Sequence, residues 1–328
     1  MTERATSPHD ALCRRILGRP ENAASELRSL LPEPFVALVD WATLQQLSTG
    51  FISTHLTPRY GDMLFSVEVE GQTAFIYCLI EHQSRTDKLM ALRLVEYMVN
   101  IWTRYAGDHP GTTTLPLIVP LVVHADPKGR RWRAETELSL LLGVTPRVRE
   151  SLGELVPRFR YVVDDLAATD LVELRKRPVT PAVLVMLYVL QVASRDDVVE
   201  RLFPLVDDVS AMFAGSNGID DLTGVVAYIM SVSDLEAEEF GPLLKRMDPQ
   251  VREAMMTTAE KLEARGEARG EVRGEVRGAA RALLALLSAK FGEVPEEVTA
   301  RVRSATLAEL DRCVDRILTA ETVEDVFR

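Results

Sequence analysis

The stretch Leu79-Ile-Glu-His-Gln-Ser84 sets a carboxylate, an imidazole and a carboxamide in a row at the end of an apolar run that starts at Ala74, and a second carboxylate, Asp62, opens the preceding β-rich run. Two hard oxygen ligands and a carboxamide suit Mg²⁺ or Mn²⁺, with waters and a substrate phosphate completing an octahedron. They suit zinc poorly, because none of the five histidines pairs with another at ligand spacing. The competing reading is a frayed, solvated strand end with no ligand.

The elements around these residues decide how they meet. Residues 63–70 and 73–83 are β-rich runs flanking Gly71-Gln72, and glycine at the first loop position predicts a two-residue type II′ hairpin. That turn sets Asp62 directly opposite Glu81, with β-carbons about 4.5–5.5 Å apart, where like charges repel unless something positive lies between them. Strand alternation puts Asp62, Glu81 and Gln83 on one face. Met63, Phe65, Val67, Ala74, Ile76, Cys78 and Ile80 form the other, wholly apolar and tightly packed face, and His82 turns away from the carboxylates. Residues 85–105 follow a helical period, with Leu89, Leu92, Val95, Met98 and Trp102 lining one face and Met90, Leu94, Ile101 and Tyr105 widening it. Arg93 and Tyr97, four apart, share a helix face and can reach the strand end together; an exposed arginine beside a packed tyrosine is the plainer alternative.

Residues 115–124 form a continuous apolar run, as a strand buried on both faces requires, and residues 159–164 read as one further strand. His124 closes the first of these, at a place where α/β sheets carry functional side chains, although a polar strand end satisfied by a loop explains it more simply. Upstream, Asp10 starts a helix reaching residue 17, Pro20 opens a second ending at Leu31, residues 35–46 predict a short third helix, and residues 54–60 are irregular. His9-Asp10 reads as a helix start rather than a catalytic dyad. This order predicts an α/β domain, a mixed sheet flanked by helices, over residues 1–175.

Residues 176–258 read as a helical region. Four tetrads follow, Glu263-Ala-Arg-Gly, Glu267-Ala-Arg-Gly, Glu271-Val-Arg-Gly and Glu275-Val-Arg-Gly, and residues 279–328 predict a small helical C-terminal domain. As a helix, residues 259–278 carry drifting stripes of Gly, Glu and Arg, and each glycine costs about 1 kcal/mol relative to alanine. Glu and Arg lie two apart within a tetrad and like charges lie four apart, so the isolated helix is weak. Either the segment is a flexible charged linker or an antiparallel partner sets Glu stripe against Arg stripe, which makes residues 259–328 a candidate for homo-oligomerisation. The glycine spacing is a product of the tetrads and matches no phosphate-binding fingerprint.

The chain of 328 residues has a net charge of −11, which argues against a uniformly basic surface. The charge is uneven: residues 1–135 hold 14 Lys and Arg against 15 Asp and Glu, so the excess acid lies in the remainder. A phosphate-binding face must therefore be local, and Lys128, Arg130, Arg131 and Arg133 form the densest basic cluster, with a solvated loop as the alternative. Cys13, Cys78 and Cys313 are far apart, which fits a reducing compartment, and Cys78 reads as a small buried hydrophobe. No apolar run is long enough to span a bilayer, and the polar N-terminus lacks a signal-peptide core, so the expected location is the cytoplasm, without membrane association.

Asp62, the hairpin, Glu81-x-Gln83 and a helix carrying Arg93-Leu-Val-Glu-Tyr97 resemble the Rpn family of recombination-promoting nucleases and transposase-like proteins, within the PD-(D/E)XK, restriction-endonuclease-like superfamily. The resemblance extends from His9-Asp10 through Leu30-Leu-Pro-Glu-Pro34 and residues 115–124 to residues 159–165, and the tetrads with the following leucine-rich segment resemble tails appended to such proteins. It implies a restriction-endonuclease-like fold followed by an all-helical C-terminal region, and hydrolysis of DNA phosphodiesters with Mg²⁺ or Mn²⁺. Asp62 and Glu81 would be metal ligands. Gln83 would occupy the position where the superfamily usually has lysine, orienting water or phosphate by hydrogen bonds without carrying charge. Positive charge would then come from Arg85, Lys88 or Arg93. A lapsed, regulatory DNA-binding protein that keeps the fold is the alternative, and a nuclease acting on RNA a further one.

Overall fold

The structure, a computed structural model, describes residues 7–47, 62–81, 87–126, 128–233 and 235–327. The expectations for residues 54–60, His82, Gln83, Ser84 and Arg85 lie outside these residues.

Helices α1 (Pro8–Leu17), α2 (Pro20–Leu30) and α3 (Glu33–Val36) open the chain. Each begins on or next to a proline, whose fixed φ and missing N–H suit a first helical turn. Asp10 lies inside the first turn of α1, which Ser7 precedes. The helix expected over residues 35–46 stops at Val36. Strand β1 (Val39–Leu47) takes its place and pairs antiparallel with β2 (Asp62–Val69), with an irregularity between Asp40 and Gln45. The sequence pattern misleads here because β1 is an edge strand, buried at Val39 and Leu44 and otherwise largely exposed, so its alternation is weak.

β2 and β3 (Gln72–Glu81) form the hairpin. The chain then crosses through α4 (Met90–Asp108) to β4 (Leu117–His124), parallel to β3, and through α5 (Pro146–Leu152) to β5 (Val162–Asp165), parallel to β4. The mixed five-stranded sheet therefore has the order β1-β2-β3-β4-β5.

Both faces of the sheet centre are buried. Met63, Phe65, Val67, Ala74, Ile76 and Cys78 are at most 2 % exposed, as alternation predicts. On the other face Leu64, Phe75, Tyr77 and Val122 pack against Met90, Ala91, Leu94, Tyr97, Met98 and Ile101 of α4. This corrects two expectations. The face sharing the parity of positions 62 and 81 is itself a packed face, and α4 presents Leu94, Tyr97 and Ile101 inward while Leu89 and Leu92 are about half exposed. The apolar residues of α4 nearly encircle its first turns, so periodicity alone leaves the phase open by one residue.

After α6 (Leu171–Lys176) the chain is helical: α7 (Pro181–Val192), α8 (Val198–Leu202), α9 (Val206–Phe213), α10 (Gly218–Val232), α11 (Gly241–Leu244) and α12 (Pro249–Phe291). Helix α7 is buried along almost its whole length and is capped by Thr180, whose hydroxyl also donates to Asn22 Oδ1 at 2.7 Å. Behind the sheet, on the face opposite α4, Arg177 grips Asp164 of β5 with two hydrogen bonds of 2.9 and 2.7 Å. Glu26 of α2, 2 % exposed, joins them 3.8 Å from the guanidinium. Burial, aided by the neighbouring Asp164 carboxylate, raises the Glu26 carboxyl to about 8.

The chain divides into two compact units, residues 1–259 and 260–328. In the second, Leu283 and Leu287 of α12 pack with Val302 of α13 (Glu296–Ser304), Leu310 and Ile317 of α14 (Leu307–Ile317) and Val326 of α15 (Val323–Val326). Capping boxes at Thr306–Glu309 and Thr322–Asp325 start α14 and α15. The tetrads are helical, within α12, and a β-carbon built on Gly266, Gly270, Gly274 or Gly278 meets nothing within 4 Å.

Candidate active site at the carboxyl edge of the sheet

The hairpin closes one residue earlier than glycine placement suggests. Val69 pairs with Gln72, so Glu70 and Gly71 are the loop residues, with φ of 49° and 75°. Positive φ at both positions defines a type I′ turn, whose twist matches that of the strands and which needs glycine most at its second position. Asp62 consequently faces Leu79, and Glu81 lies two residues farther along β3. The directly opposed carboxylate pair is thus corrected to a diagonal one, for which the typical separation is about 7–8 Å.

The parallel half of the sheet adds what the hairpin alone does not contain. Glu81 is the register partner of His124 at the end of β4, and His124 is the partner of Asp165 at the end of β5. Glu81, His124 and Asp165 therefore stand in one row across the carboxyl ends of three parallel strands, about 4.8 Å from strand to strand. This edge is where open α/β sheets bind ligands.

Helix α4 supplies the next layer. The Tyr97 ring lies 5.2 Å from that of Tyr77, and the Arg93 guanidinium sits 5.8 Å over Tyr97 and 3.8 Å from the Asp87 carboxylate. The Arg93 side chain is only 11 % exposed. Arg93 and Tyr97 are thus brought together against the strands, and the exposed-arginine alternative does not hold. Lys88 is exposed in the turn before α4.

The basic cluster follows β4 directly and is held from beneath. His124, buried, donates from Nε2 to the Arg130 carbonyl at 3.2 Å, and its ring meets Trp132 edge-on at 5.0 Å. Asp126, also buried, accepts from the Lys128 N–H at 2.7 Å and from Arg130 Nε at 3.0 Å. Asp165 Oδ2 accepts from the Trp132 N–H at 3.0 Å. Gly129 turns the loop with φ of 67°, and a β-carbon there would lie 2.7 Å from the Arg195 guanidinium. Held by these bonds, the loop leaves Lys128, Arg130, Arg131 and Arg133 exposed beside the sheet edge. Tyr161 backs Trp132 with ring centroids 6.4 Å apart and donates to the Glu135 carbonyl, and burial pushes its phenol up to about 12.

Two acceptor atoms at this edge have no partner. His124 Nδ1 and Asp165 Oδ1 are both buried without a hydrogen bond. Among the described side chains, no three His, Cys, Asp or Glu residues converge as a metal cage. Asp126 and Asp165 escape sequence reasoning. Their signal is faint: an acidic residue at, or two residues beyond, the end of each apolar strand.

A mixed sheet whose parallel carboxyl edge gathers acidic residues beside a basic loop, followed by an all-helical region, defines an α/β protein with a helical second part. Residues 7–219 match the family described as "Putative transposase, YhgA-like", and the chain belongs to that family. It is 29 % identical over 274 residues to a recombination-promoting nuclease, RpnA, of Escherichia coli K12, covering 80 % of this chain and 86 % of the relative. It is 30 % identical to the protein named inactive recombination-promoting nuclease-like protein RpnE of the same strain, with 81 % and 85 % covered. RpnD of Escherichia coli O157:H7, also named a recombination-promoting nuclease, is 29 % identical over 80 % of this chain and 96 % of its own length. No solved structure matches the chain. Among the described residues, no helix is long and apolar enough to cross a membrane.

Proposed function

We propose that this chain is a divalent-metal-dependent DNA endonuclease of the restriction-endonuclease-like kind, serving recombination or a mobile element in the cytoplasm. The observation that supports the reading is the register that brings the Asp62 and Glu81 positions to the sheet edge from which the basic loop departs, in a chain whose relatives include proteins named nucleases. Asp62 and Glu81, at diagonal rather than opposed register positions, would hold the cation. The donor set, two carboxylates and a carboxamide, fits Mg²⁺ or Mn²⁺. When bound, the cation supplies a Lewis acid for the scissile phosphate and lowers the pKa of a water.

The chain's own residues do the rest. Gln83 orients water or phosphate by hydrogen bonds, and Arg93, steadied by Tyr97 and Asp87, offsets charge that builds on the phosphate. Arg85 and Lys88 supply further positive charge near the strand end. Lys128, Arg130, Arg131 and Arg133 hold the DNA backbone through its phosphates, which gives affinity without sequence preference.

The test is nicking of plasmid DNA with Mg²⁺ or Mn²⁺ by the wild type, Asp62→Ala and Glu81→Ala. A loss of at least about a hundredfold in both variants is expected, on the scale of removing one preorganised electrostatic group. Equal nicking by all three removes Asp62 and Glu81 from the mechanism. Absence of nicking by any favours a lapsed DNA-binding protein, a second reading motivated by Gln83 in the lysine position and by the relative named inactive. Through the tetrads of α12, residues 259–328 pair two copies of the chain as a homo-oligomer.

A further inference from the structure

We propose that His124 is a metal-binding residue: its Nδ1 lone pair supplies a nitrogen ligand to the cation held by Asp62 and Glu81, biasing the centre towards Mn²⁺ over Mg²⁺. This rests on the metal reading above and adds to it a residue from a different strand.

The tautomer is fixed by a neighbour. The Arg130 carbonyl, 3.2 Å from Nε2, can only accept, so Nε2 carries the proton and Nδ1 of the neutral ring carries a lone pair. A ligating histidine is commonly oriented in this way, through a backbone carbonyl on its other nitrogen. The ring is locked further by Trp132, edge-on at 5.0 Å. Yet Nδ1 is fully buried and has no partner, and on the next strand Asp165 Oδ1 is another buried acceptor without one. The Trp132 indole N–H is a third buried group there without a partner, a donor that serves one acceptor at most. An unmatched buried polar atom is costly, and the acceptor lone pair on Nδ1 is relieved by a cation or by water bound to it. The other register partner of His124 is Glu81. A carboxylate position and an imidazole side by side at the carboxyl ends of parallel strands are within joint reach of one ion. Imidazole suits the later divalent metals better than Mg²⁺, which prefers oxygen, hence the bias towards Mn²⁺.

The full-length protein is titrated with Mn²⁺ and read by electron paramagnetic resonance, with melting curves recorded for every variant. The wild type is expected to show a histidine nitrogen coupling on bound Mn²⁺, and His82→Gln to keep it. His124→Gln retains an amide donor for the Arg130 carbonyl but removes Nδ1. It should lose the coupling and bind Mn²⁺ at least about tenfold more weakly. His124→Asn places an oxygen near the Nδ1 position and gives up the Arg130 bond. It should lose the coupling, stay within about threefold in Mn²⁺ affinity, and discriminate less between Mn²⁺ and Mg²⁺. Bound Mn²⁺ without a nitrogen coupling in the wild type, a coupling that persists in His124→Gln, or no Mn²⁺ binding overturns the proposal. A purely structural role for the ring reverses the ranking, with His124→Asn the more damaging. If His124→Gln binds normally while Asp62→Ala and Glu81→Ala do not, only the histidine ligand fails. If neither carboxylate matters for binding, the underlying metal reading fails.

Discussion

Glu81 and His124 are register partners at the carboxyl ends of adjacent parallel strands, although α4 and its flanking loops separate them in the chain. A parallel pair joined by a helical crossover brings both strand ends to one edge of the sheet. The hairpin delivers Asp62 to that edge and the loop after β4 leaves it, carrying the basic residues.

Gln83 is the residue on which the proposed chemistry is most unusual, since it has no proton to exchange and no charge. Gln83→Ala should lower DNA cleavage by about ten- to a hundredfold with little change in DNA affinity, and Gln83→Lys should restore much of it. Single-turnover cleavage beside binding at equal salt separates the two effects. Unchanged cleavage by Gln83→Ala removes the residue from the mechanism.

The basic loop should act by charge and not by base recognition. Arg131→Ala and Arg133→Ala should each weaken binding to unrelated DNA sequences alike, and each should reduce the slope of log affinity against log salt by about 0.9. Titrations at several salt concentrations give the slope, and an unchanged slope assigns these arginines to a solvated loop.

Behind the sheet, Glu26 carries a pH dependence. Its folded carboxyl titrates at about 8 against an ordinary value of 4.5, because burial and Asp164 favour the neutral form. Between these values the folded chain keeps a proton that the unfolded chain releases, so this group's contribution to stability is lost as pH rises through that window. Glu26→Gln should match the wild type near pH 5 and be more stable at pH 8 by on the order of 1–3 kcal/mol. Removing the cation instead, by Arg177→Met, should destabilise by about 3–5 kcal/mol, because the Asp164 carboxylate stays buried without its partner. Melting temperatures across pH test both.

Helix α12 is formed despite four exposed glycines, which is the condition a partner would relieve. Crossing a second copy antiparallel at Gly270 sets Glu263 against Arg277, Glu267 against Arg273 and Gly266 against Gly274. Deleting residues 263–278 should reduce the molar mass from light scattering to that of a single chain, and a mass per particle that does not change in chain number excludes pairing through the tetrads.

Composition and alternation carried the sequence a long way: the β-hairpin, the buried strand before His124 and the helical second half are all legible there, because burial on one face or two leaves a periodic trace, and Asp62 and Glu81 are legible as residues at strand ends. Four features needed the fold. Strand β1 has too little burial to write a pattern. The type I′ turn differs from the expected turn by one residue, which moves the pairing by two and turns opposed carboxylates into diagonal ones. The inward face of α4 was open because apolar residues surround its start. Above all, the row Glu81, His124, Asp165 depends on parallel register between strands far apart in the chain, and register is set by the packing of whole elements. Local sequence determines which strands exist and what stands at their ends; only tertiary packing determines which ends meet.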